Sequence, residues 1–421
     1  MMELPPEIHD RIVLYVEDPT FDDSQYIGRQ CQLYDTAGRE RLSVLRLINK
    51  GFCRSASLRL FRIMHVKYPS SEMSNHWAPK RLFELSQSQY CTAVREIEVA
   101  TERYKSDRPA KLQLFTEDLA ALLPASLCNF KSLSVLKLSF PNTPRSMCTE
   151  LVGNIFRYVP LSSLNELHLA LPLTCDFATL LKGETINSST SSRFSIKSIM
   201  KQLRYLSVSV CDGSGNGGQR YFQTPATPAQ TAFPNQSYSD QLFEFVQLAE
   251  KLSSLQVTST HILNMDVLDT TYLQNLRYLE LTSVKISHTT LLSMIQQSHE
   301  KMNSIWFCEV QLKSGTWKEV LVQLCCFPHL EAFRMDSCGY STDGRSSKWA
   351  LRLLPPIDEL TDIETLYFAD FFALGNLQRQ IVANRHANGL PELDHYTMKY
   401  EYRHAKKPSL EDYLAQLTLG D

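Results

Sequence analysis

A six-residue pattern, apolar-x-x-apolar-x-apolar, recurs along this chain and constrains its fold more than any other feature. A unit this short cannot bury its own apolar edge, so its copies must stack on one another, each supplying one strand of a repeat. We therefore predict an α/β solenoid with parallel strands on the concave face and helices on the convex face. The nine copies of the pattern occupy residues 94–99, 133–138, 164–169, 203–208, 252–257, 276–281, 302–307, 330–335 and 363–368.

Helical segments separate these copies. From 252–257 to 330–335 the copies follow one another at intervals of 24 to 28 residues, which is the length of one strand and one helix. One predicted helix begins at Thr116, whose hydroxyl is expected to cap its first turn. The other predicted helices cover residues 239–252, 288–301, 314–326 and 409–419.

Two polar stretches lengthen the earlier repeats. Residues 183–195 are rich in Ser and Thr, and residues 212–237 combine Gly, Pro, Gln, Thr and Ser. Such compositions offer little apolar surface to bury on folding. We predict that both stretches are flexible insertions.

The first 66 residues are predicted to form helices, because their apolar residues recur every three or four positions. Pro5 and Pro6 suit a first helical turn, and residues 17–38 form a polar connector without a clear period. The apolar stripes are Leu4, Ile8, Ile12 and Val16, then Leu42, Leu45 and Ile48, then Phe52, Ala56, Leu60 and Met64.

Composition and charge exclude several classes of function. The 421-residue chain carries a formal net charge of −2, which gives no general electrostatic reason to expect nucleic acid or an anionic membrane as partner. Its N-terminus lacks the basic and apolar regions of a signal peptide, and no apolar run is long enough to span a bilayer. The eleven cysteines show no CxxC spacing, so neither a disulfide framework nor a zinc cluster is predicted. We expect a cytoplasmic or nuclear protein.

Motifs for catalysis or cofactor binding are weak. Gly213, Gly215 and Gly218 match GxGxxG after a strand, but prolines follow where a dinucleotide would need a helix N-terminus. Residues 198–201 match SxxK without a companion motif, and HExxH is absent. We predict a non-catalytic protein without a cofactor or a metal.

The repeats resemble leucine-rich repeats of the helix-bearing type. Cys211 and Cys338 occupy the Asn/Cys position of the pattern LxxLxLxxN/CxL, which other residues fill in the remaining copies. The apolar residue two positions further on is Ile262, Ile286, Leu312 or Tyr340 in four of the copies. The resemblance covers residues 94–392 and implies a concave binding surface.

The N-terminal segment resembles an F-box, the module that precedes leucine-rich repeats in many fungal proteins. The resemblance depends on the Leu-Pro-x-Glu-Ile opening at residues 4–8 and the Leu-Arg-Leu-Ile-Asn-Lys-x-Phe run at residues 45–52. F-boxes are compact, whereas here the polar connector separates the two blocks. The alternative is a purely structural role, in which these helices only cap the open end of the solenoid.

The F-box resemblance implies a partner and a docking surface. In that family the three helices bind a Skp-family adaptor, which connects them to a cullin and a ubiquitin-conjugating enzyme. The helices must then leave apolar side chains uncovered after they have packed. The residues that the resemblance places at the adaptor are Leu4, Pro5, Glu7, Ile8, Ile12, Val16, Leu45, Arg46, Leu47, Asn49, Lys50 and Phe52.

A second candidate surface lies on the strands. Side chains alternate along a strand, so the third, fifth and seventh positions of each pattern should face away from the core. These positions carry an aromatic and arginine set of the composition that interface hot spots favour. The predicted target-binding residues are Tyr205, Tyr278, Trp306, Arg334 and Tyr367. The alternative is that these rings only cover neighbouring strands.

Together these features predict a domain order and a function. Residues 1–66 form the F-box-like module, 67–93 a connecting helical segment, 94–392 the repeats and 393–421 a C-terminal cap. The predicted function is the substrate-recognition subunit of a Skp–cullin–F-box ubiquitin ligase that binds an unidentified target protein. The alternative is an interaction scaffold that uses the same solenoid without ubiquitin chemistry.

Overall fold

The protein is an α/β molecule whose chain divides into two compact units. In the computed structural model, the described residues are 5–17, 36–68, 78–101, 109–141, 145–182, 194–216, 224–341, 363–365 and 367–390. Unit one comprises Met1–Glu102, Ser106–Ser139 and Asn154–Leu164, and unit two comprises Arg103–Lys105, Phe140–Gly153 and Asn165–Asp421. The strand pairs within each unit are parallel, as the repeat pattern predicts.

Three helices open unit one: α1 (Pro6–Glu17), α2 (Thr36–Leu45) and α3 (Lys50–Leu60). They close around a small apolar core, against which Leu45 and Phe61 also pack. Asn49 begins α3, because its side-chain oxygen accepts a hydrogen bond from the backbone amide of Phe52 at 2.9 Å. The core residues are Val13, Leu42, Phe52, Ala56 and Leu60.

The sheet of unit one contains β1 (Ile63–Lys67), β2 (Glu96–Ala100) and β3 (Val135–Ser139) in that order. Strand β1 carries a further copy of the repeat pattern, Phe61-x-x-Met64-x-Val66, which the nine predicted copies omit, and the predicted module boundary at residue 66 falls inside it. The predicted helical stripe that ends at Met64 is wrong at that residue, because Met64 lies on β1. The helices that follow β1 and β2 are α4 (Ala78–Ser86) and α5 (Pro109–Asn129).

The predicted start of a helix at Thr116 is wrong. Thr116 lies inside α5, where its hydroxyl donates to the carbonyl of Leu112 at 2.7 Å and so bonds back along the helix. The residues that precede it continue the helical backbone. A threonine followed by two acidic residues therefore occurs inside a helix as well as at an N-cap, and this local pattern does not locate the start of the helix.

Unit two contains the remaining strands, in the order β4-β5-β6-β7-β8-β10, with the short β9 beside β7 and β11 beside β9. Of the nine pattern copies, the first eight are strands. In the ninth, Ile363 makes only an isolated bridge to Cys338, and Phe368 already begins a helix. The strands are β4 (Glu166–Leu171), β5 (Tyr205–Val210), β6 (Ser254–Asn264), β7 (Tyr278–Ile286), β8 (Ser304–Cys308), β9 (Gln311–Leu312), β10 (Ala332–Asp336) and β11 (Gly339–Tyr340).

Helices connect most of these strands, and those predicted to begin at residues 239, 288 and 314 are shorter than predicted. Between β6 and β7 the structure has only the short 3-10 helix Thr270–Tyr272. Ser287 caps one by accepting from the amide of Thr290, and Thr316 and Glu319 form a capping box at another. The predicted helix at 409–419 lies outside the described residues. The helices are α6 (Arg145–Tyr158), α7 (Cys175–Lys182), α8 (Ile196–Gln202), α9 (Pro228–Ala232), α10 (Ser239–Gln247), α11 (His288–Gln296), α12 (Trp317–Leu324) and α13 (Phe368–Ala387).

Ladders of apolar side chains between neighbouring strands form the core of unit two. One ladder runs along the fourth pattern position of five strands, and each of its residues is buried. Fully burying side chains of this size contributes about 1.5–3 kcal/mol each. The ladder consists of Leu206, Leu255, Leu279, Ile305 and Phe333.

The described part of the polar stretch 212–237 packs closely, which differs from the expectation that it has little to pack. Gly215 pairs with Thr224. Asn235 is fully buried and accepts from the amide of Thr174 at 2.9 Å. Hydrogen bonds of small polar side chains to the main chain hold this stretch, so its composition underestimates its order. Of the other predicted insertion, residues 183–193 lie outside the described residues.

A glycine substitution tests the packing of this stretch. Gly215 has a φ of +83°, and a Cβ added there would overlap the carbonyl oxygen of Thr260. We expect Gly215→Ala to lower the free energy of unfolding by about 2–4 kcal/mol, of which about 1–2 kcal/mol is backbone strain. Gly389→Ala is the matched control, because Gly389 has a φ of +65° with open space around it. Equal losses for the two variants in denaturant unfolding would contradict the overlap.

Candidate protein-interaction surfaces

Helix α1 has an apolar stripe that the rest of its module leaves uncovered. Ile8, Ile12 and Tyr15 lie on one face of the helix and are exposed by 40%, 36% and 67%. The neighbouring stripe contains His9 and Val13, which are buried. The helix therefore packs with one face and presents an apolar face beside it.

The predicted α1 stripe is only partly outward. Ile8 and Ile12 are exposed, as are Pro5 and Glu7, but Val16 is half-buried. Leu4 lies outside the described residues. One turn of helix separates successive members of the predicted stripe, and the drift of 3.6 residues per turn carries its last member toward the core.

The second block of predicted docking residues divides between surface and core. Leu47 is 85% exposed and Lys50 is also exposed. Phe52 belongs to the core of the module and meets the ring of His9 edge to face at 4.7 Å. Leu45 packs against the same core.

Two further predicted docking residues have local structural contacts. Asn49 caps α3, and the guanidinium of Arg46 lies 5.2 Å from the centre of the Phe61 ring. The exposed apolar surface also includes Val44 and Ile48, which are 64% and 60% exposed. Neither is among the predicted docking residues, although Ile48 belongs to a predicted apolar stripe. Spacing alone did not show that the end of α2 and the turn after it point these apolar residues outward.

The strand face of unit two, defined by the outward side chains of β4 to β10, brings four of the five predicted target-binding residues onto one sheet. Tyr205 and Tyr278 flank Ser254 in the strand register, and Trp306 lies beside Arg334. Tyr367 precedes α13 instead, where it is 59% exposed and packs edge to face on Tyr340 at 5.4 Å.

A chain of hydrogen bonds crosses this face from β5 to β7. Ser207 donates to Oε1 of Gln256 at 2.8 Å, and Gln256 Nε2 donates to Oε1 of Glu280 at 2.8 Å. The Tyr278 hydroxyl donates to the other oxygen of Glu280. Burial raises the pKa of Tyr278, and the bond to Glu280 raises it further. The Tyr278 hydroxyl therefore remains protonated and holds the Glu280 carboxylate by a hydrogen bond.

Trp306 and Arg334 form a second group with Asp336. The Arg334 guanidinium lies 4.6 Å from the Trp306 ring centre. Both Trp306 Nε1 and Arg334 Nε donate to Oδ2 of Asp336, at 3.0 and 2.7 Å. One carboxylate thus holds an indole and a guanidinium in a stacked arrangement while the Arg334 side chain stays 44% exposed. This preorganised pair has the composition of an interface hot spot.

Cys308 pairs with Asp336 in the strand register, and its thiol has low reactivity. Burial raises the pKa of Cys308 to about 12, and the nearby carboxylates of Glu309 and Asp336 raise it as well. The thiol is therefore protonated at neutral pH and is a poor nucleophile. Among the described residues, no group of three or more His, Cys, Asp or Glu side chains is arranged to hold a metal ion.

The strand face of unit one carries balanced charges. Glu98 on β2 accepts from His65 at 2.8 Å and from Lys67 at 2.7 Å, and Lys137 contacts Glu96 at 2.6 Å. Burial by itself would raise the pKa of Glu98, but its hydrogen bonds and the charges of Lys67 and His65 outweigh burial and lower the pKa to about 2.

No family model and no curated protein matches this sequence. Within the described part of the chain, no helix combines the length and the apolar character needed to cross a bilayer.

The Glu98 cluster leads to a pH-dependent prediction. The pKa of Glu98 is lower in the folded protein than in the unfolded chain. The stabilisation that its ion pairs give the folded state is therefore present above about pH 4.5 and disappears as the pH falls toward 2. We expect Glu98→Gln to lower the free energy of unfolding by about 1–3 kcal/mol at pH 7. The loss should shrink steadily toward pH 3 in denaturant titrations. Glu84→Gln, at an exposed site on α4, is the control. A loss that does not change with pH would refute the ion-pair explanation.

Proposed function

We propose that this protein is a non-catalytic substrate receptor of a Skp–cullin–F-box ubiquitin ligase. The N-terminal three-helix module would bind a Skp-family adaptor, and the strand face of leucine-rich repeats would bind a target protein. The site of action would be the cytoplasm or the nucleus. The observation that carries the proposal is the pair of uncovered apolar segments on a module that has already closed its own core.

The N-terminal module supports the adaptor role through its division of apolar residues. Its core is closed by five residues of its own helices, yet Ile8, Ile12 and Leu47 remain exposed at positions where the F-box resemblance expects contact. A helical cap on a repeat stack needs no such surplus. Burying these three side chains in a partner would contribute the free energy that association requires.

The strand face supports the target-binding role. Parallel strands at repeat spacing, each followed by a return connection, present polar and aromatic side chains side by side on one surface. The stacked Trp306 and Arg334 supply an aromatic and a charged anchor already held in place by Asp336. Anchors that need no reordering lose less entropy on binding.

The proposed contribution to ubiquitin transfer is proximity. A receptor that holds a target near a ubiquitin-loaded enzyme converts an encounter in solution into a tethered reaction, with a high effective concentration. The protonated thiol of Cys308 and the fully bonded Glu280 suit a binding surface better than a chemical site.

The adaptor role is tested by charges placed on the exposed apolar segments. We expect Ile8→Asp combined with Leu47→Asp to weaken binding of a purified Skp-family adaptor more than a hundredfold, since each buried side chain contributes about 1.5–3 kcal/mol. Val322→Asp, at a 48% exposed site on α12, is the matched control. Binding is measured by surface plasmon resonance on folded variants. Wild-type affinity in the double variant would contradict adaptor docking through this surface and would favour the scaffold alternative.

The proposed target-binding role is tested by substitutions on the strand face of unit two. We expect Trp306→Ala combined with Arg334→Ala to keep adaptor binding but to lose target proteins in quantitative affinity purification, by about tenfold or more. Tyr272→Ala replaces a 45% exposed ring away from the strand face and should change nothing. An unchanged set of recovered proteins would exclude Trp306 and Arg334 from the target surface.

A further inference from the structure

Carboxylates outnumber lysine and arginine side chains on the strand face of unit two and directly after β8, and we infer that the target segment bound there is basic, with lysine or arginine side chains. This inference rests on the proposed function, because it assumes that the face binds a target. The carboxylates in question, called the acidic row below, are Glu280 on β7, Glu309 directly after β8 and Asp336 on β10. Their exposed fractions are 5%, 6% and 7%.

Glu280 is held by neutral donors. One of its oxygens accepts from the amide of Gln256 and the other from the hydroxyl of Tyr278, and neither donor carries a charge. A buried carboxylate without a cation keeps much of its negative potential, because the surrounding protein screens it weakly.

Glu309 is the least satisfied member of the acidic row. Its Oε2 accepts from Ser283 Oγ at 2.6 Å and from Asn216 Nδ2 at 2.9 Å. Its Oε1 is buried and has no hydrogen-bond partner in the described part of the chain. The residue also has a φ of +53°, in the left-handed region that costs a non-glycine residue about 1 kcal/mol or more.

The backbone at this position recurs in the neighbouring repeats, where serine takes the place of glutamate. Ser283 and Ser337 occupy the same pattern position with φ of 55° and 51°. The geometry therefore belongs to the repeat and does not require a carboxylate. The negative charge is a feature of the Glu309 repeat alone among these three.

Cations on this face are few and already engaged. At the third, fifth and seventh pattern positions of β4 to β10, Arg334 is the one lysine or arginine, and Asp336 holds it. The other carboxylate at these positions, Glu166, bonds to His168 at 2.6 Å. In unit one, by contrast, the glutamates on β2 each have a lysine within hydrogen-bond distance. Excess negative charge is thus specific to unit two.

The surroundings of the acidic row suit a basic side chain. Trp306 lies between Glu280 and Arg334 in the strand register and offers a ring for the apolar stem of a lysine or arginine. Ser254 Oγ, in a side chain 7% exposed, also has no partner among the described residues and lies between Tyr205 and Tyr278. Charge complementarity therefore selects an extended basic segment as the occupant.

A display experiment with the full-length protein tests this inference. A library of short random peptides is selected on the wild-type protein and counter-selected on the Trp306→Ala variant, which removes the ring and leaves the charges of the face unchanged. We expect the surviving peptides to be enriched in lysine and arginine and to bind more weakly as salt concentration rises. Neutral or acidic peptides among the survivors would overturn the inference and leave the proposed function standing. If no recovered peptide depends on Trp306, the result would count against both the inference and the proposed target-binding role.

Charge variants then assign the preference to the acidic row. Glu309→Gln keeps an oxygen for Ser283 and Asn216 and places its amide nitrogen at the position of Oε1, so no hydrogen bond of the wild-type side chain is lost, and folding of the variant is checked by circular dichroism. We expect the best basic peptide to bind Glu309→Gln about tenfold more weakly. Glu300→Gln removes the same charge from an exposed site after α11 and should bind as the wild type does. Glu280→Gln is a second test, and wild-type affinity in both row variants would overturn the inference.

Discussion

Stacking of apolar side chains between register-matched parallel strands is the interaction on which unit two depends. Each strand buries its fourth and sixth pattern positions against the same positions of its neighbours, so a single strand would have no stable partner surface. Because the period of a strand is two, burying one set of side chains turns the alternate set outward. The polar and aromatic face is therefore a direct consequence of the core.

The two candidate surfaces use different physics. The N-terminal module offers exposed apolar side chains, whose gain on binding is the removal of hydrocarbon from water. The strand face of unit two offers groups that are already hydrogen-bonded, stacked or charged, and its discrimination comes from geometry and electrostatics. Such a division suits a protein that keeps one constant partner and selects another. In the proposed ligase receptor, the constant partner is the adaptor and the selected one is the target.

Local hydrogen bonding explains why polar segments of this chain are more ordered than their composition suggests. Asp212 accepts from the amide and hydroxyl of Ser214 and from the hydroxyl of Thr227, and Asn235 does the same for Thr174. These contacts replace the apolar burial on which composition-based reasoning depends. In the same way, Asp336 orders Trp306 and Arg334 without an apolar core.

The sequence by itself determined where eight strands lie, which of their positions face the core, and that helices with apolar stripes lie within residues 1–66, although the last of the predicted stripes runs on to Met64, which is on β1. These features depend on spacing between near neighbours, and a periodic pattern records them directly. Only the tertiary structure decided that Thr116 lies inside a helix, that Phe52 is buried while Leu47 is exposed, and that Glu309 has an oxygen without a partner among the described residues. Each of these depends on which distant segments meet, and the free energy of such contacts leaves no periodic trace in the chain.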